Sequence, residues 1–251
     1  MIILMKELIP NETPTVSFSS LADIHGNFHI DLPEPADCFL FAGDIFLKRG
    51  GDRKQQLIQQ YEDLPDALEF LRSIPAELIV MIAGNHDYLF ELLGKETTNY
   101  VLNNYGLLRG EEAPEIIYLE NDSVEFKGKT IWGTPHSAFE EEKKWPRTHA
   151  FVLDGDDYIE QVQLPEVDII LSHSSPEYSG IADHPRAASH LQKEIERVCP
   201  EVLVSGHFHW MRGEHRIGDT KAFVPAATQP YREGVVPYSV FEEDLYFYFE
   251  L

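Results

Sequence analysis

The sequence predicts a layered α/β sandwich with mixed sheets inside and helices outside. Continuously apolar runs such as Asp37–Ala42 have the profile of strands buried on both faces. Segments of helical spacing separate several of these runs, which implies parallel pairing through right-handed crossovers. Short strands divided by turn sequences indicate antiparallel pairs elsewhere. Parallel and antiparallel pairs together make mixed sheets, and the crossover helices cover their outer faces.

The first part of the chain alternates strands with helices. The predicted elements, in order, are Thr15–Leu21, Asp37–Ala42, Arg53–Ile74, Glu77–Ala83 and Tyr88–Tyr105, of which the third and fifth are helical. Pro65 interrupts the long helical pattern, so either two helices or one kinked helix is expected there.

The second part begins with short strands at Glu115–Leu119, Ser123–Phe126 and Thr130–Trp132, whose intervening turns favour antiparallel hairpins. A long connection without a clear period runs from Gly133 to Asp157, and long ordered loops often line a site. The remaining elements are a strand, a crossover helix, another strand and three antiparallel strands: Val167–Leu171, Ala187–Cys199, Val202–Val204, Lys221–Ala227, Tyr238–Glu242 and Leu245–Phe249.

Length and composition favour one domain that spans residues 1–251, because no linker, repeat or low-complexity block divides the 251 residues. The formal charge is -23, from 43 acidic and 20 basic residues. Such a surface repels polyanions, so long nucleic acid is not an expected partner. The composition does not indicate an oligomeric state.

No apolar run approaches the roughly 20 residues that cross a bilayer, and Met1–Pro14 lacks the features of a signal peptide. No membrane partner is therefore expected. Cys38 and Cys199 fit neither a disulfide framework nor a close metal pair, and both are expected in the core. A reducing, cytoplasmic location fits best.

Polar residues follow five of the apolar runs, at the point where each predicted strand ends. The central example is Ile82–Leu89, in which Gly84 allows a sharp turn and Asn85, His86 and an aspartate follow directly. Asp23 and His25 follow the first predicted strand, and aspartate or histidine residues likewise follow the other three apolar runs. The predicted ligands are Asp23, His25, Asp44, Asn85, His173, His207 and His209.

This set of imidazoles, carboxylates and one amide suits divalent Mn, Fe, Zn or Co better than Ca or Mg. Seven ligands are too many for one small ion. Two ions roughly 3.5 Å apart that share a carboxylate would use all of them and leave room for a bridging hydroxide. Two divalent transition metals are therefore predicted, and Mn is expected to serve in vitro.

The motifs resemble those of the calcineurin-like metallophosphoesterase superfamily: D-x-H, G-D, G-N-H-[DE], an isolated H and G-H-x-H, in this order. The resemblance implies a four-layer αββα sandwich. It also implies that Asp23, His25 and His209 hold one metal, that Asn85, His173 and His207 hold the other, and that Asp44 bridges. Within the superfamily, segments such as Trp132-Gly133-Thr134-Pro135 look most similar to the small MPPED-type metallophosphoesterases.

One motif departs from the pattern of the phosphoprotein phosphatases, because Gly43-Asp44 is followed by Ile-Phe-Leu-Lys-Arg-Gly rather than by x-x-Asp-Arg-Gly. The carboxylate that orients the catalytic histidine in those enzymes is missing, which leaves open what positions His86.

The expected activity is hydrolysis of small phosphoesters, including phosphodiesters and nucleotides, by a metal-bridging hydroxide with His86 as general acid. A Ser/Thr-type phosphoprotein phosphatase and a catalytically weak binding module remain as alternatives. His136, Arg147 and His149 lie in the long connection and are candidates for binding the substrate. The histidines predicted to be structural are His29, His184, His190 and His215.

Overall fold

The computed structural model describes residues 15–47, 51–106, 113–139, 149–177, 184–229, 239–241 and 245–251. In chain order the elements are β1 (Ser17–Leu21), β2 (Ala36–Ala42), α1 (Arg53–Ser73), β3 (Ala76–Ile82), α2 (Tyr88–Asn104), β4 (Glu115–Tyr118), β5 (Asp122–Phe126), β6 (Lys129–Thr134), β7 (Ser137–Ala138), β8 (Val152–Leu153), α3 (Gly155–Gln161), β9 (Ile169–Ser172), α4 (Pro185–Val198), β10 (Val202–Ser205), β11 (Gly213–Ile217), β12 (Thr220–Val224) and β13 (Phe247–Glu250).

The strands form two large sheets, each with parallel strands inside and an antiparallel strand at one or both edges. The first sheet has the order β13-β1-β2-β3-β4, in which β13 alone is antiparallel to its neighbour. The second sheet has the order β11-β12-β10-β9-β6-β5, and β11 and β5 are antiparallel to their neighbours. The predicted mixed sheets are therefore confirmed, including the parallel pairs across α1 and α4.

Alternating side chains on each strand bury both faces of both sheets. In β2, Cys38 and Leu40 face the second sheet, whereas Phe39 and Phe41 face the helices α1 and α2. The second sheet packs its other face against α3 and α4 in a separate apolar cluster. Two sheets thus lie between two helical layers, which confirms the four-layer αββα sandwich.

Several local predictions were wrong. β4 and β5 do not form a hairpin, since β4 pairs with β3 in the first sheet and β5 pairs with β6 in the second. Asn121, with φ 54°, turns the chain from one sheet to the other. The last strands are not all antiparallel, because β12 runs parallel to β10. At Pro65 two helices or one kinked helix were predicted, and the residue lies exposed inside a single helix, α1.

The long connection is more regular than its sequence suggests. It contains β7 and β8, which pair with each other, and α3 begins at Gly155. β11 was also missed. Of the cysteines, Cys38 is buried as predicted, but Cys199 is exposed, because it caps the end of α4 in a left-handed conformation with φ 52°. Among the described helices, none is long and apolar enough to span a membrane.

Candidate metal centre

The predicted ligands meet at one edge of the sandwich. They follow the carboxyl ends of β1, β2 and β3 in the first sheet and of β9 and β10 in the second. Parallel strands end on the same side, so five separate loops bring their polar residues to one place. The structure therefore brings all seven predicted ligands together, although their role as ligands stays a prediction.

The backbone is strained at four of these residues. Asp23, His25, Asp44 and His207 have φ values of 55°, 45°, 57° and 69°. Residues other than glycine rarely adopt this left-handed region, which costs of order 1–3 kcal/mol each. The same region occurs at ordinary turns and caps, but half of the eight described non-glycine residues with this conformation are predicted ligands, and such a concentration is typical of functional sites.

Gly84 is required by close packing rather than by its backbone angles. A Cβ atom at this position would overlap the carboxylate of Asp44 and the ring of His173. The sharp turn predicted at Gly84 does not need a left-handed residue, because its φ lies outside that region. A glycine here allows the β3 loop to approach ligands from both sheets.

The first group of ligands consists of Asp23, His25 and His209, all buried. The Nε2 atoms of His25 and His209 are 3.1 Å apart, and Nε2 of His209 lies 3.7 Å from Oδ1 of Asp23. Nδ1 of His209 donates to the backbone carbonyl of Thr228 at 2.8 Å. This bond fixes the tautomer of His209, so that the Nε2 lone pair faces the group, as in many metal-binding histidines.

The second group is built around the amide oxygen of Asn85. Nε2 of His173 lies 3.0 Å from this oxygen, and Nδ1 of His207 lies 2.9 Å from it. The other nitrogen of His173 is 2.9 Å from the carbonyl of Ala42, in the opposite sheet. His173 therefore joins the two sheets and presents Nε2 to the site.

Asp44 lies between the two groups. Its Oδ2 is 3.8 Å from Nε2 of His25 and 3.5 Å from Nε2 of His173, while its Oδ1 accepts from the backbone N–H of His86 at 2.7 Å. This is the position that the resemblance implies for a shared ligand. Because Asp44 contacts residues from both halves of the site, it is the centre of the arrangement.

Burial and mutual charge perturb the titration of the whole cluster. Burial would raise the pKa of Asp44, but the imidazoles of His86 and His173 hold that pKa well below its usual range. Burial also raises the pKa of Asp23 and lowers the pKa of His25. Burial alone would lower the pKa of His173 too, but the Asp44 carboxylate beside the ring raises that pKa to about 9.

These residues fit divalent metals. Their nitrogen and oxygen donors converge within 4.8 Å of one another in three overlapping groups: Asp23 with His25 and His209, Asp23 with Asp44 and His173, and His25 with Asp44 and His86. Buried carboxylates need compensating charge, and imidazole nitrogens beside carboxylate oxygens are the donors that transition metals prefer.

Asp87 supports the ligands, although no role was predicted for it from the sequence. It is fully buried, and its carboxylate accepts from the backbone N–H groups of Asp44, Phe46 and Gly84 at 2.9, 3.0 and 2.7 Å. Burial and the nearby Asp44 raise its pKa to about 7. Asp87 ties the β2 loop to the β3 loop, and its place after the Gly-Asn-His run was the available signal.

Gln60 holds the turn that carries His86. This side chain lies in α1 and is fully buried. Its Nε2 donates to the backbone carbonyl of His86 at 2.5 Å, and its Oε1 accepts from the N–H of Leu89 at 2.8 Å. No sequence signal distinguishes Gln60 from the other glutamines of this helix. The His86 ring, 8% exposed, stands edge-on to that of His25 with centroids 4.7 Å apart.

The candidates for binding the substrate differ in position. His149 lies 5.9 Å from the His86 ring and stacks on Phe139 at 5.6 Å, and the next residue donates its N–H to the carbonyl of Asn85 at 2.8 Å. Phe139, which was not predicted from the sequence, also stands edge-on to His207 at 6.1 Å. His149 and Phe139 therefore lie against the ligands.

His136 is buried, and its ring contacts Thr134 and stands edge-on to Phe151. Burial lowers its pKa to about 4. Arg147 falls outside the described residues. Three of the histidines predicted to be structural bond to backbone groups: His184 caps α4, and His190 and His215 contact the carbonyls of Val162 and Met211.

Comparison with known proteins agrees with this architecture. The family model described as calcineurin-like phosphoesterase matches residues 16–211. One crystal structure superposes with a TM-score of 0.58 at 12% identity, over 85% of this chain and 91% of its own. TT1561 of Thermus thermophilus gives 0.50 at 12% identity, over 85% and 90%. GAP50, the anchor in the inner membrane complex of Plasmodium, gives 0.48 at 12% identity, over 94% and 81%. The first two superpositions, at 12% identity, show a likeness of the fold alone. No curated protein matches the sequence significantly.

Proposed function

Since the chain belongs to the calcineurin-like phosphoesterase family, we propose that it is a dinuclear metal-dependent hydrolase of small phosphoesters. The observation that supports this most is the position of Asp44, whose carboxylate lies within 4 Å of imidazoles from both ligand groups. One shared carboxylate between two groups of nitrogen and oxygen donors suits a pair of divalent ions.

Asp23, His25 and His209 would hold one ion, and Asn85, His173 and His207 the other, with Asp44 shared. When bound, two divalent ions would supply Lewis acidity toward the phosphoryl oxygens and would lower the pKa of water. Mn, Fe or Zn fits the donor set, and we expect Mn to support activity in vitro.

His86 is the proposed general acid. Its backbone is fixed by Asp44 on one side and Gln60 on the other, so the imidazole is held at the rim of the ligand groups. From this place it would donate a proton to the oxygen that leaves with the alcohol. His149, which neighbours His86, would bind the non-bridging oxygens of the substrate, and we include Arg147 and His136 in this role as weaker candidates.

The substrate is proposed to be a small phosphodiester or nucleotide. A formal charge of -23 disfavours long nucleic acid, whereas a small anion is captured by the local charge of bound cations. A Ser/Thr-type phosphoprotein phosphatase is less well supported, because the Asp44 motif lacks the orienting carboxylate. The intact set of ligands argues against a catalytically weak binding module. A cytoplasmic location is part of this proposal.

A panel of four substrates tests the proposal in Mn-loaded protein: bis-nitrophenyl phosphate, a cyclic nucleotide, a phosphopeptide and duplex DNA. We expect the highest kcat/KM with a small diester. A higher kcat/KM with the phosphopeptide or with DNA would reject the proposed substrate class. Absence of hydrolysis of all four by protein that binds two metals would instead favour a binding module.

A further inference from the structure

A cavity of about 410 Å³ opens beside the loop that carries His25. One wall is formed by residues 26–31 of this loop, and the other is formed by Val240, Phe241 and Leu245 from the C-terminal part of the chain. The volume falls within the range of sites for small molecules, roughly 300–1,000 Å³. Among the described residues, none of the predicted ligands lines this cavity.

Both walls are bonded directly to segments of the metal centre. Gly26 follows His25 and donates its N–H to the carbonyl of Ile45 at 2.9 Å, next to Asp44. On the opposite side, Phe241 donates its N–H to the carbonyl of Ala227 at 2.9 Å.

The residue after Ala227 completes the connection. Thr228 donates its hydroxyl to the carbonyl of Asp23 at 2.8 Å, and its own carbonyl accepts from His209. The cavity therefore lies beside the first ligand group, at the edge of the sandwich where β1 ends.

About half of the cavity lining is apolar, and several of its apolar residues are supported from behind. Phe28, Ile30 and Leu245 pack against the apolar cluster beneath α1 and α2. The guanidinium of Arg212 lies 4.8 Å from the centre of the Phe241 ring, which it holds by a cation–π contact. The lining thus includes two aromatic side chains, Phe28 and Phe241, that a planar group could contact.

Charge limits what this surface accepts. The polar lining residues are Asn27, His29 and Asp31, and no lysine or arginine is among the described residues that line the cavity. A second phosphate or another anionic group would meet the Asp31 carboxylate, and the described lining offers no lysine or arginine to pair with it. An uncharged aromatic group would meet phenyl rings and the polar side chains that line the same cavity.

We propose that this cavity, which we call the Phe28 cavity, binds the uncharged aromatic part of a phosphoester, such as a nucleoside, while the phosphate lies at the metal centre. This proposal rests on the proposed function. It selects phosphoesters of nucleosides or other aromatic alcohols over polyphosphates and over esters of small alkyl alcohols. The organic group would thus lie beside the loop that carries His25.

The test uses two substrates with the same leaving group, thymidine 5′-nitrophenyl phosphate and methyl nitrophenyl phosphate, in Mn-loaded full-length protein. Phe28→Ala should lower kcat/KM for the thymidine ester by on the order of tenfold, as expected for one lost stacking contact, and by less than about twofold for the methyl ester. Leu32→Ala is the matched control, since Leu32 is 46% exposed on the same loop and does not line the cavity. This variant should leave both values unchanged.

A second variant keeps the test valid if Phe28→Ala fails to fold. Val240→Phe fills the cavity instead of enlarging it, and it should weaken selection for the thymidine ester in the same way. Equal effects of both variants on the two esters would overturn the proposal.

Binding of thymidine separates this inference from the proposed function. Saturation-transfer NMR with metal-free wild-type protein should show contact with thymidine, and Val240→Phe should remove it. If wild-type protein hydrolyses neither ester, the proposed function fails, whereas the NMR result still supports or refutes the cavity. Absence of the NMR signal in wild-type protein would refute the cavity even if both esters were hydrolysed.

Discussion

Replacing Gln60 tests whether the position of His86 depends on a side chain that never touches the substrate. Gln60→Ala removes the donor to the His86 carbonyl and the acceptor for the Leu89 N–H, and both groups are buried. Each orphaned group costs about 1–3 kcal/mol, so the free energy of unfolding should fall by about 2–6 kcal/mol. Urea denaturation monitored by circular dichroism measures this loss.

The catalytic effect should be larger than the loss of stability alone explains. A shift of the His86 turn by about 1 Å would reduce turnover by on the order of a hundredfold where proton donation limits the rate. We therefore expect a large decrease in kcat for alkyl phosphodiesters and a small one for nitrophenyl esters, whose leaving oxygen scarcely needs a proton. KM should change little, and folded protein should keep its metal content.

Gln59→Ala provides the control. Gln59 neighbours Gln60 on the same helix, and its Oε1 accepts no hydrogen bond within the described part of the chain. This variant should retain wild-type kinetics. The reasoning would be refuted if Gln60→Ala slowed both classes of ester equally, or if Gln59→Ala matched it.

Three further predictions concern the metal centre. Active protein should contain close to two transition-metal ions per chain by elemental analysis, lose activity with a chelator and recover it with Mn. Asp44→Ala should lose both ions and turnover, because a shared carboxylate serves both. One ion in active protein, or wild-type turnover in Asp44→Ala, would contradict this prediction. His86→Asn should lose roughly two to four orders of magnitude in kcat on alkyl esters and much less on nitrophenyl esters, and equal losses would instead indicate a phosphate-binding or structural role. In metal-free protein, the pKa of His173 is raised to about 9, against 6.5 in the unfolded chain, so protonation of His173 stabilises the fold fully below pH 6.5 and this contribution disappears as the pH rises through about 9. Thermal melts in chelator should show this loss of stability, and His173→Gln should make the loss smaller. Added Mn should oppose the protonation of His173, because the metal binds the neutral ring.

Much of the fold was predictable, because strands buried on both faces leave unmistakable apolar runs. Asp37–Ala42 became β2 almost unchanged, and the helical spacing after Arg53 correctly indicated α1. Pairing partners were harder to predict. The order of strands near Asn121 depends on which sheet offers an unpaired edge, and this is a property of the assembled sandwich rather than of the local sequence.

In the candidate site, too, some residues could be predicted from the sequence and others could not. Polar residues at strand ends, such as Asn85 and His173, could be predicted as site residues because such side chains are uncommon in a core strand. Gln60 and Thr228 were not, since a buried glutamine in an amphipathic helix and a threonine in a loop look ordinary until the fold shows their partners. Supporting residues act through hydrogen bonds to backbone groups. Every residue carries such groups, so the amino-acid sequence does not indicate which of them will be partners.

The contact between Thr228 and Asp23 has a consequence for biosynthesis. The two residues are 205 positions apart in sequence, and β1 also depends on β13 for one of its neighbours. Contacts of such long range form late, because the entropy of closing the loop must be overcome first. The loop at Asp23 can therefore acquire its final shape only after Thr228 and β13 have left the ribosome. If the site holds metal ions as proposed, they would be bound after this long-range contact has formed rather than during synthesis.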